Sequence, residues 1–279
     1  QTLSGYFTKM KMRFGILCNG YLFQQWQAEV ILALMQRGHQ PVLLILDDRP
    51  AHPESFFKRQ FARRKHLLFS FFENRFFSPS SRKQTSLAIN LKDVPAIRCN
   101  VQTKGISNYF SEADIEIVRG YRTDFILRFA FGIIRGGILE AAKYGIWSFH
   151  HGDEEKYRGG PAGFWEIFEN DPVNGLILQR LTSRLDGGII LKKGFLKTIR
   201  HSWKENLEQL YKTSTTWPAM VADEISCAEK VGKSLSFARS ESQAPVYRLP
   251  GNLQMALFFL KLLKNRILFY YQTWLLTEK

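Results

Sequence analysis

The sequence predicts an α/β protein, in which a mostly parallel sheet carries helices on both faces and is followed by a helical extension. Two patterns support this fold class. Between residues 12 and 150, short apolar runs alternate with segments of helical periodicity, as in βαβ units with right-handed crossovers. From residue 203 onward, apolar residues recur mainly at helical spacing. We therefore expect an α/β domain over 12–200 and a helical extension over 201–279.

The first elements fit one βαβ unit. The run MRFGILCN (12–19) predicts a strand, Asn19-Gly20 predicts a turn, and residues 22–37 place apolar side chains at helical spacing. After a helix stop at Gly38, the run PVLLILD (41–47) predicts a second parallel strand. In sheets of this kind, ligands bind at the carboxyl ends of the strands.

The alternation continues along the chain. The polar, serine-rich stretch 78–90 predicts a loop. Ser111 followed by Asp114 is a capping-box pattern that opens a helix to about residue 118. The remaining apolar patterns predict strands at 94–99, 124–132 and 146–150, helices at 137–143, 161–170 and 203–230, and extended segments at 175–184 and 187–199.

Two segments leave alternatives open. The basic and aromatic stretch 58–75 is typical of a surface helix with a buried aromatic face, which we favour over a face that binds membrane or phosphate. In the final segment, 252–279, Lys261, Lys264 and Arg266 leave no charge-free run of about 18 residues, so a spanning helix is not expected. We favour a helix packed on the core or on a partner chain over an interfacial membrane helix.

Composition limits the function classes. The 279 residues are 45% hydrophobic, which indicates a globular core, and carry a formal net charge of +14. The charge indicates anionic partners: nucleic acid, phosphorylated small molecules or an acidic membrane surface. Cys18, Cys99 and Cys227 lack disulfide or metal-ligand spacing, so we expect no metal site and a reducing, cytoplasmic location. The N-terminus has no signal-peptide pattern.

The stretch IWSFHHGDEEKYRGGP (146–161) concentrates the residues that could do chemistry. An apolar strand ends there in histidine and continues as a charged loop. Because side chains alternate along a strand, Ser148 and His150 face the same side. Downstream, Asp186 precedes two glycines that allow a tight turn. A carboxylate brought close to His150 would favour the imidazolium form and fix its orientation.

Each residue also has an ordinary structural explanation. His151 is most simply a satisfied core or surface histidine, and Asp186 alone would be a turn residue that bonds its own backbone. Arg158 would be a loop residue in a weak surface ion pair. Only their combination favours a functional site.

The segment 124–190 resembles the catalytic half of the formyltetrahydrofolate-dependent formyltransferase family. That family has an Asn-x-His strand end, a loop that closes on Tyr-Arg-Gly, and a downstream Leu-Asp-x-Gly. In this sequence the histidine falls on His150, the loop closes at Tyr157-Arg158-Gly159, and the aspartate falls on Asp186. The resemblance covers about 12–200, is strongest from residue 120 onward, and implies a Rossmann-like catalytic domain.

The resemblance also implies the reaction, which is formyl transfer from 10-formyltetrahydrofolate to an amino group. His150 would polarise the formyl oxygen or move the amine proton, Asp186 would hold or reprotonate it, and Ser148 would donate a hydrogen bond. Candidate contacts to folate are Phe129, Ala130, Phe131 and Gly132, together with the loop from Leu181 to Leu185. Candidate contacts to the acceptor are His151, Tyr157 and Arg158.

One departure from the family is serious. The family's asparagine, which stabilises the oxyanion together with the histidine, maps onto Ser148, and His151 with the acidic GDEE replaces the usual loop. Serine donates a single hydrogen bond and has a shorter reach. Losing one oxyanion donor can cost a factor of about 10²–10³ in rate. The site therefore needs compensation from water, backbone N–H or His151, or it runs a different chemistry.

The acceptor is predicted by elimination within the family. A methionyl-tRNA enzyme would carry a β-barrel domain for tRNA, whereas 203–279 is helical in pattern, so nucleic acid is not favoured. A glycinamide ribonucleotide enzyme would be more compact. A phosphorylated small amine, most simply an amino sugar on a nucleotide or lipid, is favoured. Hydrolysis of the formyl donor, another acyl transfer and a non-catalytic binding protein stay open, as do peripheral membrane contact through 252–279 and a homo-oligomer.

Overall fold

A computed structural model describes residues 10–49, 64–183 and 187–277. Seven of the described strands form one central sheet. From one edge to the other they are β13 (Ile189–Lys197), β12 (Val173–Arg180), β10 (Ile146–His150), β8 (Phe125–Arg128), β1 (Arg13–Cys18), β3 (Gln40–Asp47) and β5 (Ala96–Cys99).

The sheet is mostly parallel, as predicted. β10, β8, β1, β3 and β5 run parallel to one another, and β12 and β13 continue the sheet as an antiparallel pair. The register pairs Ile146 with Ile126 and Trp147 with Leu127. The carboxyl ends of β8 and β10 therefore lie side by side. In open α/β sheets, ligands bind at the carboxyl ends of the strands.

Hydrophobic clusters cover both faces of the sheet, because side chains of a doubly buried strand alternate between them. Phe14 and Ile16 of β1 belong to one cluster with Leu34 of the helix Gln25–Gln36. Leu17 belongs to the other cluster with Ile115 of the helix Glu112–Gly120. The predicted cap of that second helix is present, since Ser111 Oγ accepts from Asp114 N at 3.1 Å.

Short strands make three smaller sheets that the sequence patterns did not reveal. β2 (Leu22–Gln24) pairs with β4 (Gln84–Ser86), β11 (Arg158–Gly159) pairs with β14 (Val246–Tyr247), and β6 (Gln102–Lys104), β7 (Ser107–Tyr109) and β9 (Ile133–Arg135) form the third. The prediction of a loop over 78–90 was therefore wrong in part. The first helix begins at Gln25 because residues 22–24 are strand.

Three predicted elements are shorter or interrupted. The strand predicted at 124–132 ends at Arg128, because the chain turns through Phe131 (φ 68°) and Gly132 (φ 57°). The helices predicted at 137–143 and 161–170 are a 3₁₀ turn at Gly137–Glu140 and one turn at Trp165–Phe168.

The helix predicted at 203–230 is two helices, Trp203–Ser214 and Trp217–Lys230. The break precedes Pro218, which lies in the first turn of the second helix. Proline fits there because its missing N–H would have no partner in the first turn. Both helices add buried side chains to the same cluster as the sheet, including Trp203 and Val221. The division of the chain at residue 200 stays a prediction.

The final helix, Asn252–Thr277, has its buried side chains near its start and contacts the rest of the fold as far as Phe269, whose ring stacks on His201 with centroids 3.8 Å apart. Only Met255 and Phe258 are buried among its described residues. Phe258 stacks on Phe164 with ring centroids 4.2 Å apart, and Phe259 contacts Phe72 of the helix Leu67–Arg75 at 5.2 Å. That short helix and the 3₁₀ turn Arg64–His66 before it are the described part of the basic stretch, whose residues 58–63 lie outside the described chain. None of the described helices combines the length and apolarity needed to cross a bilayer.

Candidate active site at the carboxyl ends of β8 and β10

A cleft of about 150 Å³ opens at the carboxyl ends of the neighbouring strands β8 and β10. Its walls come from the ends of these strands, from β9, and from the loop between β12 and β13. The residues that line it are Arg128, Gly132, Ile133, Ile134, Arg135, Phe149, His150, Gln179, Leu181, Thr182, Ser183 and Gly188. The predicted residues His150, Gly132 and Leu181 are thus brought together.

His150 ends β10 and is half-buried in the wall of the cleft. Its Nε2 lies 3.0 Å from the backbone carbonyl oxygen of Tyr157. A carbonyl oxygen only accepts, so Nε2 carries a proton and donates it in this hydrogen bond. Nδ1 is then the ring nitrogen that can accept a proton when the imidazole is neutral.

Gly152 allows this contact. A Cβ at residue 152 would lie 3.1 Å from His150 Nε2 and 3.2 Å from the Tyr157 oxygen. The same Cβ would lie 3.7 Å from Oε1 of Glu166, a buried carboxyl group. Burial raises the pKa of Glu166 to about 7, and the nearby Asp171 and Asp153 add to the shift. A second titratable group therefore lies close to His150, which the sequence patterns did not indicate.

Ser148 lies beside His150 on the same face of β10 and is 1% exposed. Its Oγ accepts two hydrogen bonds from Arg128, one from Nε at 3.0 Å and one from Nη2 at 2.8 Å. Arg128 Nη1 also donates to the carbonyl oxygen of Gly132 at 2.6 Å. Arg128 is the main functional candidate that the sequence reasoning missed. The available signal was a single cation that interrupts the apolar run DFILRFAFG.

Asp186 and Leu185 lie outside the described residues. The described residues on either side of them, Ser183 and Gly188, line the cleft. Arg135 holds this wall, because its Nη1 donates to the Ser183 carbonyl at 2.8 Å.

The other predicted folate contacts are divided between the cleft and the core. Gly132 lines the cleft, whereas Ala130 and Phe131 are buried in the hydrophobic cluster on one face. Phe129 packs on the opposite face, where its ring contacts Trp26 with centroids 5.6 Å apart. In this strand-end loop, Gly132 is the member placed to touch a ligand in the cleft.

His151 turns away from the cleft. Its ring lies 4.7 Å from Tyr211, 5.3 Å from Trp26 and 5.7 Å from Phe149, measured between centroids, and its Nε2 lies 3.1 Å from Ser214 Oγ. Burial lowers the pKa of His151 to about 3, with smaller contributions from His150 and Arg82, so the ring is neutral at neutral pH. His151 is thus packed among aromatic rings, and its predicted contact with an acceptor stays a prediction.

Tyr157 and Arg158 hold the loop after β10. Tyr157 accepts from His150 through its backbone, and its hydroxyl donates to Asp171 Oδ2 at 3.3 Å. Arg158 Nη1 donates to the Ala244 carbonyl at 3.1 Å, next to the pairing of β11 with β14. Both side chains thus bind other parts of the fold, and their predicted contact with an acceptor stays a prediction.

The acidic loop is anchored by one lysine. Lys193 Nζ lies 3.2 Å from Asp153 Oδ1 and 3.1 Å from Glu154 Oε1, and both acids are buried. Burial alone would lower the pKa of Lys193, but the hydrogen bonds and charges of Glu154 and Asp153 raise it. The run Asp-Glu-Glu therefore has a structural role in positioning the loop that supports His150. Across residues 10–49, 64–183 and 187–277, no cluster of His, Cys, Asp and Glu could hold a metal ion.

Comparison with known proteins gives relatives in both sequence and fold. No family model matches the sequence. The chain is 30% identical over 134 residues to the methionyl-tRNA formyltransferase of Prochlorococcus marinus, a match that covers 47% of this chain and 36% of the relative. It is 25% identical over 167 residues to the Enterococcus faecalis enzyme of that name, covering 57% of this chain and 53% of the relative. The chain thus spans about a third to a half of these relatives.

Solved structures share the fold. Glycinamide ribonucleotide transformylase 1 from Symbiobacterium toebii has a TM-score of 0.52 at 15% identity, covering 78% of this chain and 89% of that one. Phosphoribosylglycinamide formyltransferase from Bacillus halodurans has a TM-score of 0.50 at 17% identity, covering 78% and 98%. Identities this low establish the fold alone, and the specific relationship comes from the sequence matches. The chain is thus similar in sequence to methionyl-tRNA formyltransferases over part of its length, and it shares the fold of the two transformylase structures.

Proposed function

We propose that this protein transfers a formyl group from 10-formyltetrahydrofolate to the amino group of a small, phosphorylated acceptor, most simply an amino sugar on a nucleotide or lipid. One observation carries the proposal. His150 and Arg128, whose guanidinium donates to the buried Ser148, line a single cleft at the carboxyl ends of the strands. An acid–base group and hydrogen-bond donors placed side by side are what acyl transfer to an amine requires.

The cleft fits the reacting end of such a donor. Arg128 and Arg135 supply cationic donors, Ile133 and Leu181 supply apolar walls, and the backbone at Gly132 is accessible. The donor brings an activated formyl carbon bonded to a nitrogen that leaves as an amine. His150 removes the proton from the attacking amine through Nδ1 while its Nε2–H stays bonded to Tyr157, and then returns that proton to the leaving nitrogen.

Charge and architecture favour a small acceptor. The net charge of +14 and the two arginines in the cleft suit a phosphorylated molecule. In the described stretch 203–277, the chain forms three helices and one two-residue strand, and not the serial strands of a tRNA-binding barrel. An amino sugar meets both conditions.

Hydrolysis of the formyl donor is the second candidate. It is favoured by one observation, the cleft volume of about 150 Å³, which holds water beside the reacting end of the donor more readily than a whole amino sugar. The same acid–base group would then activate water instead of an amine. A protein that only binds folate is the third candidate, and the placement of His150 and Arg128 in one cleft argues against it.

One assay separates the three candidates. The 279-residue protein is incubated with 10-formyltetrahydrofolate, with and without an amino-sugar nucleotide, while tetrahydrofolate and formate are followed over time. We expect tetrahydrofolate to form only when the acceptor is present, with no free formate. Release of formate without the acceptor would establish hydrolysis. Binding of folate with no release under either condition would establish a binding protein and end the transfer proposal.

A further inference from the structure

We propose that Arg128 is a catalytic residue whose guanidinium stabilises the negative charge on the formyl oxygen during transfer, with Ser148 as the residue that positions it. This inference rests on the proposed function. Arg128 ends β8, and the parallel register with β10 places it next to Ser148 and close to His150. The cleft therefore contains a cation at the place where the relatives' asparagine would donate.

The hydrogen bonds of Arg128 leave donors for a ligand. A guanidinium has five N–H groups. Two of them donate to Ser148 Oγ and one donates to the Gly132 carbonyl. Among the described residues, no partner engages the remaining N–H on Nη1 or the remaining N–H on Nη2. Because Arg128 lines the cleft, these two groups are available to an oxygen bound there.

The charge of Arg128 has no counter-ion among residues 10–49, 64–183 and 187–277. No carboxylate in the described part of the chain forms an ion pair with it, and burial lowers the pKa of its guanidinium. A desolvated cation without a counter-ion is costly in a folded protein. Negative charge that develops on a bound oxygen removes that cost, so the interaction is stronger in the transition state than with the neutral formyl group.

Ser148 fits a supporting role better than a direct one. Its Oγ accepts hydrogen bonds from two N–H groups of Arg128. Its own hydroxyl proton is donated to the Phe149 carbonyl oxygen at 3.5 Å. An asparagine at this position would donate a neutral amide N–H, whereas the Arg128–Ser148 pair presents a fixed cation. In the transfer step, the acceptor nitrogen bonds to the formyl carbon and the carbonyl electron pair moves to the oxygen beside Arg128. The pair then returns, the bond to the folate nitrogen breaks, and that nitrogen receives the amine proton from His150.

The test compares Arg128→Met with Arg98→Met, which removes an exposed arginine on β5 that pairs with Asp48 at 3.2 Å. We expect Arg128→Met to lower kcat by a factor of about 10²–10³, with affinity for 5-formyltetrahydrofolate changed by less than about fivefold, and Arg98→Met to be unaffected. In Arg128→Ala, added guanidinium ion at millimolar concentration should restore part of the rate. The same additive should not restore His150→Ala.

A binding readout makes the test independent of turnover. Titration with formate should show at least tenfold weaker binding to Arg128→Met than to the unmodified protein. A rate for Arg128→Met within threefold of the unmodified protein would overturn the role of Arg128 and leave formyl transfer intact. If the unmodified protein shows no transfer, equal binding of formate to both proteins would overturn the anion site as well, whereas weaker binding to the variant would support it.

A separate observation concerns the helix Asn252–Thr277, for which we infer docking on an anionic lipid bilayer. Twelve large apolar side chains of this helix are exposed, far more than a solvated helix normally presents. They are Leu253, Leu257, Leu260, Leu263, Ile267, Leu268, Phe269, Tyr270, Tyr271, Trp274, Leu275 and Leu276.

The charge and the side-chain types of this helix favour a bilayer surface as its binding partner. The helix contains Lys261, Lys264 and Arg266 and no acidic residue. Its second half carries Tyr270, Tyr271 and Trp274, side chains that are enriched where a membrane meets water. An acid-free, basic helix with exposed aromatic and aliphatic side chains is typical of helices that lie in the interface of anionic membranes.

Vesicle sedimentation tests this inference. We expect the protein to sediment with phosphatidylcholine vesicles that contain 30% phosphatidylglycerol, and about tenfold less with pure phosphatidylcholine. The exposed pair of substitutions Lys264→Glu and Arg266→Glu should abolish the difference, whereas Lys230→Glu with Lys233→Glu, the same charge change elsewhere, should preserve it. Equal loss in both double variants would show binding by net charge alone and overturn the role of the helix. Absence of sedimentation together with a dimer in analytical ultracentrifugation would assign the helix to a second copy instead.

Discussion

We expect His150→Ala to slow formyl transfer by a factor of about 10²–10⁴ without unfolding the protein. In the proposed reaction the imidazole is the acid–base group, and its Nε2–H bond to the Tyr157 carbonyl leaves Nδ1 to exchange the proton. Alanine removes that group. The measurement is the initial rate of tetrahydrofolate formation with saturating acceptor.

His201→Ala is the matched control for this experiment. His201 lies outside the cleft and pairs with Glu205 at 3.3 Å, so the variant loses a histidine without touching the proposed site. Its rate should equal that of the unmodified protein, and both variants should keep the circular dichroism spectrum and cooperative unfolding of the native chain. A normal rate in His150→Ala would remove this histidine from the mechanism.

Lys193→Met should lower the free energy of unfolding by on the order of 3 kcal/mol. Lysine at this position is the cation that compensates the buried carboxylates of Asp153 and Glu154. Methionine fills similar space but removes the cation that contacts both acids, and a buried charge that loses its partner is costly. Urea unfolding at neutral pH, followed by circular dichroism, measures the change.

The adjacent residue offers a control for the loss of charge. Lys192 pairs with the half-exposed Glu224 at a longer distance of 3.7 Å, so Lys192→Met should change the free energy of unfolding by less than about 1 kcal/mol. The Lys193 variant should also lose activity, because the loop that it anchors carries Tyr157, the partner of His150. Equal stability of the two variants would show that the acidic loop does not depend on Lys193.

The incorrect parts of the predicted fold have two different causes. The stretch 78–90 is polar, yet Gln84–Ser86 forms a strand because the backbone of Leu22–Gln24 lies alongside it. Short strands of this kind are specified by a distant partner and not by their own apolar pattern. The break before Trp217 is different, since Pro218 was a signal in the sequence that outweighs continuous helical spacing.

The site residues also differ in whether the sequence alone could bring them together. His150 and Ser148 could be placed on one face from the alternation of a single strand. Arg128 could not be joined to them from the sequence, because it lies 20 residues before Ser148 and meets it only through the pairing of β8 with β10. His151 likewise gained its aromatic surroundings from Trp26 and Tyr211, which come from two different helices.

The sequence by itself determined the α/β class and the histidine at the carboxyl end of one strand. Strands that are buried on both faces are continuous apolar runs, and the ends of such runs can be located in the sequence. Only the tertiary structure decided which charges share a site. The Arg128–Ser148 pair and the Lys193 contact with Asp153 and Glu154 depend on strand register and chain crossings. Strand register and chain crossings are set by the free energy of packing the whole sheet, and no periodic pattern in the sequence indicates them.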